Sequence, residues 1–363
     1  MQTYSFREDI GQIITEQTNM QVITTIVMYL VGCSIQPMEK DKMCGLVGII
    51  SKKDDSRTMF EGHKMVSSFV EMTKSANTRG GHSTGFAIIQ RDGDYLLCKR
   101  DKDAYRFFLD RSVLNALEFV DHKDTSAIIG HTRYSTQGSP KNNENNHPIR
   151  ANNTIGTHNG SVWNDDELFE KFGLDRFAEV DSEVLFRLYD YSENFKDFID
   201  KLKLVEGNVS MVWQDLEFPE YVYLFKGNNP LEIAYVPSLK CYAYGSTREI
   251  VKSGFSDELR WVEVKPNTLL RVNTNTLKIN RTDARIKEGT NRYFRFDSKI
   301  GASVQVKPKS CKPKKKTHTR FVPRYSYRDR IEDILERDVP QQRLDFNRED
   351  VVASDGSTIK KVK

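Results

Sequence analysis

Residues 43–50 read MCGLVGII, a cysteine and a glycine leading into a short apolar run. Alternating apolar residues bounded by small ones read as a strand, with Cys44 at its start. Taken alone, such a cysteine is more simply a small buried hydrophobe than a nucleophile. Its place is the puzzle: the stretch looks like the beginning of a protein, yet 42 residues stand in front of Met43. A nucleophile that uses its own backbone amine could not work until those residues were removed.

Strand-like runs recur downstream: GFAIIQ (85–90), DYLLCK (94–99), SAIIGHTR (126–133), TIGTHN (154–159), VSMVWQ (209–214), YVYLFK (221–226), IAYV (233–236) and CYAYGS (241–246). Asp92-Gly93 between two of them is a hairpin signal. Helical periods cover 59–78, with Val66, Phe69, Val70 and Thr73 on one face, and 181–192, with Val184, Leu185, Leu188 and Tyr189. Many strands at hairpin spacing with few helices predict an α+β architecture, antiparallel sheets covered by helices. No βαβ alternation supports a dinucleotide-binding fold.

The five cysteines are scattered and form no CxxC pair, against a disulfide framework or a structural zinc site. A reducing, cytoplasmic setting follows. The formal charge of +4 is uneven, because seven Lys/Arg fall within 305–320 (QVKPKSCKPKKKTHTR) without one acid. Without that segment the chain is slightly acidic, so basicity belongs to the tail. The apolar stretch QVITTIVMYLVGC (21–33) is shorter than the ~20 residues a membrane helix needs. The acids Glu8, Asp9 and Glu16 before it do not suit an export signal.

Four segments can carry chemistry: Cys44-Gly45, GHTRYSTQG (130–138), GTHNGSVWN (156–164) and VDSEVLF (180–186). Singly each has a plain explanation: Arg133 as a surface ion-pair partner, Asn159-Gly160 as a turn, Asp181-Ser182 as a helix cap. Together, in this order, they resemble the glutaminase domain of class II glutamine amidotransferases. Glucosamine-6-phosphate synthase, amidophosphoribosyltransferase and asparagine synthetase carry such a domain. The motifs are Met43-Cys44-Gly45-x-x-Gly48, Arg79-Gly80 with Ser83 and Gly85, His131-Thr132-Arg133, Asn146-His147-Pro148, His158-Asn159-Gly160 and Asp181-Ser182-Glu183. Gly245-Ser246 before a short helix and Val264-Lys265-Pro266-Asn267 are weaker echoes.

The resemblance implies a four-layer αββα Ntn-hydrolase sandwich of two antiparallel sheets over 44–285. Residues 1–43 are then a leader, and 286–363 a flexible, basic, proline-interrupted tail with a short helix at 327–337. It implies L-glutamine as substrate, Cys44 as nucleophile, and Asn159 with the Gly160 N–H as oxyanion donors. Arg133 would grip the α-carboxylate bidentately and Asp181 the α-ammonium. Tyr134, Ser135 and Thr136 would line the pocket, and His147 would order a neighbouring loop. No metal and no cofactor are expected. An N-terminal amine titrates near ~8 and can take the thiol proton, so one residue supplies nucleophile and base. Gly45 would leave room for substrate beside the backbone.

Two positions depart from the family pattern. His82 stands where an acid is usual, which puts packing near the helix end in question, and Tyr134 where Trp or Phe is common. A free amine on Cys44 requires either cleavage after Met43 or translation from Met43 with removal of the methionine. The second is favoured, because a methionine directly precedes Cys44. No synthase domain fits after 285, so the ammonia is expected to pass to a separate acceptor subunit or be released. Residues 307–316 read as a solvated linker, with nucleic acid as the other candidate contact and no membrane association. The rival readings are an Ntn hydrolase acting on another amide and a non-catalytic scaffold with a basic binding tail.

Overall fold

A capping box starts the helix that covers the Cys44 strand. Thr58 Oγ1 accepts the Glu61 N–H at 3.3 Å while Glu61 Oε2 accepts the Thr58 N–H at 2.7 Å, pairing two otherwise orphaned donors. In the computed structural model the described residues are 43–287, with three further strands seen as backbone at 294–297, 302–305 and 360–361. The leader, the tail helix at 327–337 and the lysine run at 307–316 lie outside them.

In chain order the first elements are β1 (Gly45–Ser51), α1 (Met59–Ala76), β2 (Ser83–Gln90), β3 (Tyr95–Arg100), α2 (Ala104–Phe107), α3 (Arg111–Leu117) and β4 (Thr125–Arg133). Then come β5 (Ile149–Ala151), β6 (Thr154–Val162), α4 (Asp165–Phe172), α5 (Glu183–Tyr191), α6 (Phe195–Leu202), β7 (Gly207–Asp215), β8 (Tyr221–Lys226) and β9 (Glu232–Val236). The last are β10 (Cys241–Gly245), α7 (Arg248–Ser253), β11 (Arg260–Val262), β12 (Thr268–Asn273), β13 (Ile279–Asp283), β14 (Phe294–Asp297), β15 (Ala302–Gln305) and β16 (Lys360–Lys361).

These strands form an eight-stranded sheet, β11-β9-β10-β1-β4-β2-β3-β16, a six-stranded sheet, β13-β12-β8-β7-β6-β5, and the separate pair β14-β15. The strand pairings are antiparallel. Strand alternation sorts the side chains into layers. In β1, Leu46 and Ile50 face the second sheet and pack with Ala87, Ile129, Ile155, Val212 and Leu224. Val47 and Ile49 face outward, under Met65, Phe69 and Met72 of α1 and Val251 of α7. The outer face of the second sheet packs Val184, Leu185 and Leu188 of α5 and Phe198 of α6 against Trp213 and Tyr223. Three apolar layers between four structural ones give the αββα sandwich.

The strand runs read from sequence all form strands, and Gly93 takes φ +90° in the turn between β2 and β3. The sequence suggested few helices, but seven form among the described residues. On α1 the buried stripe is Met65, Phe69, Met72, Thr73 and Ala76, with Val66 and Val70 at its margin. The helix is therefore rotated slightly from the face that its β-branched residues suggest, because two methionines supply the core contacts. Phe69 is fully buried and meets Phe86 edge-on at 5.9 Å. Phe69→Ala is expected to lower stability by about 3–5 kcal/mol, measured by denaturant unfolding.

Candidate active site

β1, β4 and β6 bring three of the sequence-predicted segments to one end of the sandwich. Cys44 precedes β1 and is half-buried. The Tyr134 N–H donates to its Sγ at 3.4 Å, and the thiol is 3.6 Å from the Tyr134 carbonyl. Arg79 Nε donates to the Cys44 carbonyl at 3.2 Å. Burial pushes the thiol above its ordinary pKa; the Tyr134 N–H and the Arg133 and Arg79 charges pull it down, and Asp181 pushes it up. An arginine and an aspartate on different elements thus both act on this sulfur. The Cβ position of Gly45 is occupied by Thr132 Oγ1 at 2.5 Å and Ala76 Cβ at 2.9 Å. Thr132 belongs to β4 and Ala76 to the end of α1, so any side chain at position 45 would collide with both.

Arg133 ends β4 and is almost fully buried. Its Nη1 donates to Asn146 Oδ1 at 3.0 Å, and its Nη2 to the Gln137 carbonyl and to the Gly138 carbonyl at 3.0 Å. Asn146 in turn donates to the Pro140 carbonyl at 2.6 Å, and Asn145 holds Glu179 at 2.7 Å. The 134–146 segment is therefore wound around the guanidinium. Both forks of a guanidinium include Nη2, whose two protons are taken here. The bidentate grip expected from sequence becomes available only if a loop carbonyl lets go.

Asp181 does not cap α5. Its Oδ2 accepts the Val162 N–H at 2.6 Å, which ties the start of α5 to the end of β6, and the Ser182 side chain makes no cap bond. Burial raises the Asp181 carboxyl above its usual range, opposed by the Val162 N–H and by Arg176 and Arg133. On β6, Asn159 is buried, its carbonyl accepting Asn229 Nδ2 at 2.8 Å and its own Nδ2 reaching Ser246 Oγ at 3.3 Å. Asn159 Oδ1 has no hydrogen-bond partner among the described residues. Gly160 follows at φ +133°, with the Asn208 carbonyl 1.8 Å from where a Cβ would stand.

No family model matches the chain. Glutamine–fructose-6-phosphate aminotransferase (isomerizing) from Staphylococcus aureus is 29% identical over 198 residues, 52% of this chain and 30% of that protein. Over those residues the chain is homologous to that aminotransferase. A 7-cyano-7-deazaguanine synthase from Saccharolobus solfataricus is 26% identical over 241 residues, 65% of this chain and 49% of that protein. The chain spans about half the length of these curated relatives, or less. Among solved structures, the glutamine phosphoribosylpyrophosphate amidotransferase of B. subtilis superposes with a TM-score of 0.51 at 19% identity, over 66% of this chain and 49% of that one. That likeness carries the Ntn-hydrolase fold.

The two positions that depart from the family pattern, His82 and Tyr134, meet in the structure. His82 and Tyr134 stack on each other at 4.8 Å and 26°, and His82 Nδ1 accepts the Ser135 N–H at 2.9 Å. The histidine thus fixes the segment that contacts the thiol. Ser135 is partly buried there, whereas Thr136 is exposed and joins no side-chain hydrogen bond among the described residues. His147, beyond a cis bond to Pro148, is buried against His131 with ring centres 4.3 Å apart. Burial lowers His131 to about 3 and His158 to about 4 and holds His147 well below its ordinary value, so all three are neutral. His158 Nδ1 lies 2.8 Å from Ser182 Oγ and links β6 to α5.

Arg79, Asn146 and Ser246 entered the sequence reading only as motif positions, and the structure gives each a contact with Cys44, Arg133 or Asn159. Asn229, in the turn Gly227-Asn228-Asn229-Pro230, offered no signal beyond turn composition. No group of three or more His, Cys, Asp or Glu that could hold a metal occurs among the described residues, and no helix there is long and apolar enough to cross a membrane.

Proposed function

We propose that this domain hydrolyses the side-chain amide of free L-glutamine through a Cys44 thioester, giving glutamate and ammonia. The observation that supports the reading is that Cys44 Sγ meets the N–H of Tyr134, the residue next to Arg133, while Asp181 is tied to the end of β6, the strand that carries Asn159 and Gly160. A cation and an anion flanking a nucleophile suit a zwitterionic amino acid. An acylase-type substrate needs neither, and a scaffold has no use for the set.

In the proposed cycle Cys44 is the first residue of the working chain. Its amine takes the thiol proton, sulfur attacks the amide carbon, and the oxyanion receives hydrogen bonds from Asn159 and the Gly160 N–H. The carbon–nitrogen bond then breaks, the ammonium proton goes to the leaving nitrogen, and ammonia departs. Water, deprotonated by the same amine, opens the thioester. Arg133 receives the α-carboxylate once Gln137 or Gly138 releases Nη2, and Asp181 receives the α-ammonium. Tyr134 lines the pocket beside the thiol, and His147 supports the loop from beneath. By analogy with its relatives, whose names denote amino transfer and synthesis, the ammonia goes to an unidentified acceptor or partner subunit.

The test is release of glutamate and ammonia from L-glutamine by a chain beginning at Cys44, with N-acylated glutamine inert. Equal hydrolysis of the N-acylated compound contradicts the zwitterion reading. Arg133→Lys keeps the charge and loses the fork, so KM is expected to rise about 10- to 100-fold, the ~1.5–3 kcal/mol of a charge-assisted hydrogen bond. Steady-state kinetics with a modest change in kcat would bear this out.

A further inference from the structure

The hydrogen bonds of Asn159 and Ser246 do not balance as they stand. Ser246 lies between β10 and α7, where its Oγ accepts the Leu46 N–H at 2.8 Å and its N–H returns to the Leu46 carbonyl at 3.0 Å. The same Oγ faces Asn159 Nδ2 at 3.3 Å. In this arrangement the hydroxyl accepts twice, and its own proton meets no acceptor among the described residues. Asn159 Oδ1 is meanwhile buried without a donor among the described residues. The two residues are 0% and 1% exposed.

A half-turn of the Asn159 amide about its last torsion pairs both atoms and leaves the amide NH2 as the one group unpaired. Ser246 O–H then donates to Asn159 Oδ1 while still accepting from Leu46. The amide NH2 moves to where Oδ1 now stands and is left as a donor without a protein acceptor. We propose that Ser246 is a positioning residue that holds Asn159 in this turned orientation, keeping the amide N–H for the oxyanion at the glutamine carbonyl. The inference rests on the glutaminase reading for its function and on hydrogen-bond accounting for its geometry.

The position of Ser246 suits the task. Leu46 lies two residues after Cys44, so one hydroxyl ties the nucleophile's strand to the oxyanion donor on the other sheet. The Asn159 backbone is held separately by Asn229. Only the direction of the side-chain amide therefore depends on Ser246. A donor fixed before reaction spends no reorganisation when charge develops on oxygen, which is where such groups act.

The test has two arms. On the chain beginning at Cys44, Asn159→Ala is expected to lower kcat about 10²–10³-fold. Ser246→Ala is expected to lower kcat about 10-fold with KM little changed, and Ser246→Thr, which keeps a hydroxyl, to restore most of it. In the Asn159→Ala background Ser246→Ala should add nothing. Wild-type kcat in Ser246→Ala, or full additivity with Asn159→Ala, overturns the proposal. The second arm is a neutron structure of the full chain, which does not depend on turnover. A deuteron on Ser246 Oγ directed at Asn159 Oδ1 supports the proposal; an Asn159 N–D directed at Ser246 overturns it. Failure of the wild-type chain to hydrolyse glutamine would count against the glutaminase reading alone, with the neutron arm still deciding the geometry.

Discussion

Restoring a single residue in front of Cys44 is expected to lower kcat for glutamine hydrolysis by about 10²–10⁴-fold, the range a positioned general base contributes. The reason lies in the thiol. Burial raises its pKa, and the Tyr134 N–H and the two arginines counter this without being the leading influence. A thiol held neutral at pH 7 needs a base to leave its proton with. His131, His147 and His158 are buried and neutral, with His131 against the His158 carbonyl at 3.0 Å and His158 against Ser182, and His82 Nδ1 is taken by the Ser135 N–H. The proposed mechanism gives that part to the amine of Cys44. Rate should therefore rise with pH as that amine loses its proton, near ~8 for an unperturbed α-amine, and the profile should vanish in the extended chain. Cys44→Ala removes the nucleophile and leaves the amine in place, and a loss on the order of 10⁶ in kcat is expected, by comparison with removal of the nucleophile from a catalytic triad.

Gly160→Ala has the second large expected effect, on folding as well as on rate. The residue sits at φ +133°, a region that L side chains rarely adopt, and its Cβ would lie 1.8 Å from the Asn208 carbonyl and 2.5 Å from Asn229 Nδ2. Neither neighbour can yield easily. Asn208 is backbone of the adjacent strand β7, and Asn229 Nδ2 already holds the Asn159 carbonyl. Backbone strain and overpacking together are expected to cost roughly 2–6 kcal/mol, a large part of the ~5–15 kcal/mol that stabilises a typical domain. Urea unfolding measures that loss. The surviving folded fraction should show lowered kcat, because the same shift moves Asn159 and the Gly160 N–H together.

The sheets were legible in the sequence because their strands are short, apolar and separated by turn residues. What escaped was polar or brief. β13 carries Asn280, Arg281, Thr282 and Asp283, all exposed, on an edge where backbone pairing with β12 and the one apolar contact of Ile279 define it. α6 buries Phe198, Ile199 and Leu202 beneath a charged face, and its Asn194 cap was the signal that could have found it. At the site, the residue types were readable from ordered motifs. Their use was not. Asp181 follows a pattern that suggests a helix cap, yet it reaches across to β6. Arg133 suggests an open clamp, yet it is wrapped by its own loop. Ser246 is 200 residues from Leu46, and only the sheet register brings them together. Sequence order preserves chemistry better than it preserves orientation.

The most direct measurement is the covalent state of Cys44 itself. A chain beginning at Cys44 can be mixed with an electrophilic glutamine analogue that keeps the free α-amino and α-carboxylate groups, and its peptides mapped by mass spectrometry. The account predicts one adduct per chain, on Cys44, prevented by excess L-glutamine and strongly slowed in Arg133→Lys. Cys98 and Cys241 are buried, and burial pushes the Cys241 thiol up to about 12, so both should stay unmodified. Labelling that ignores glutamine, or that settles on another cysteine while Cys44 stays free, would contradict it.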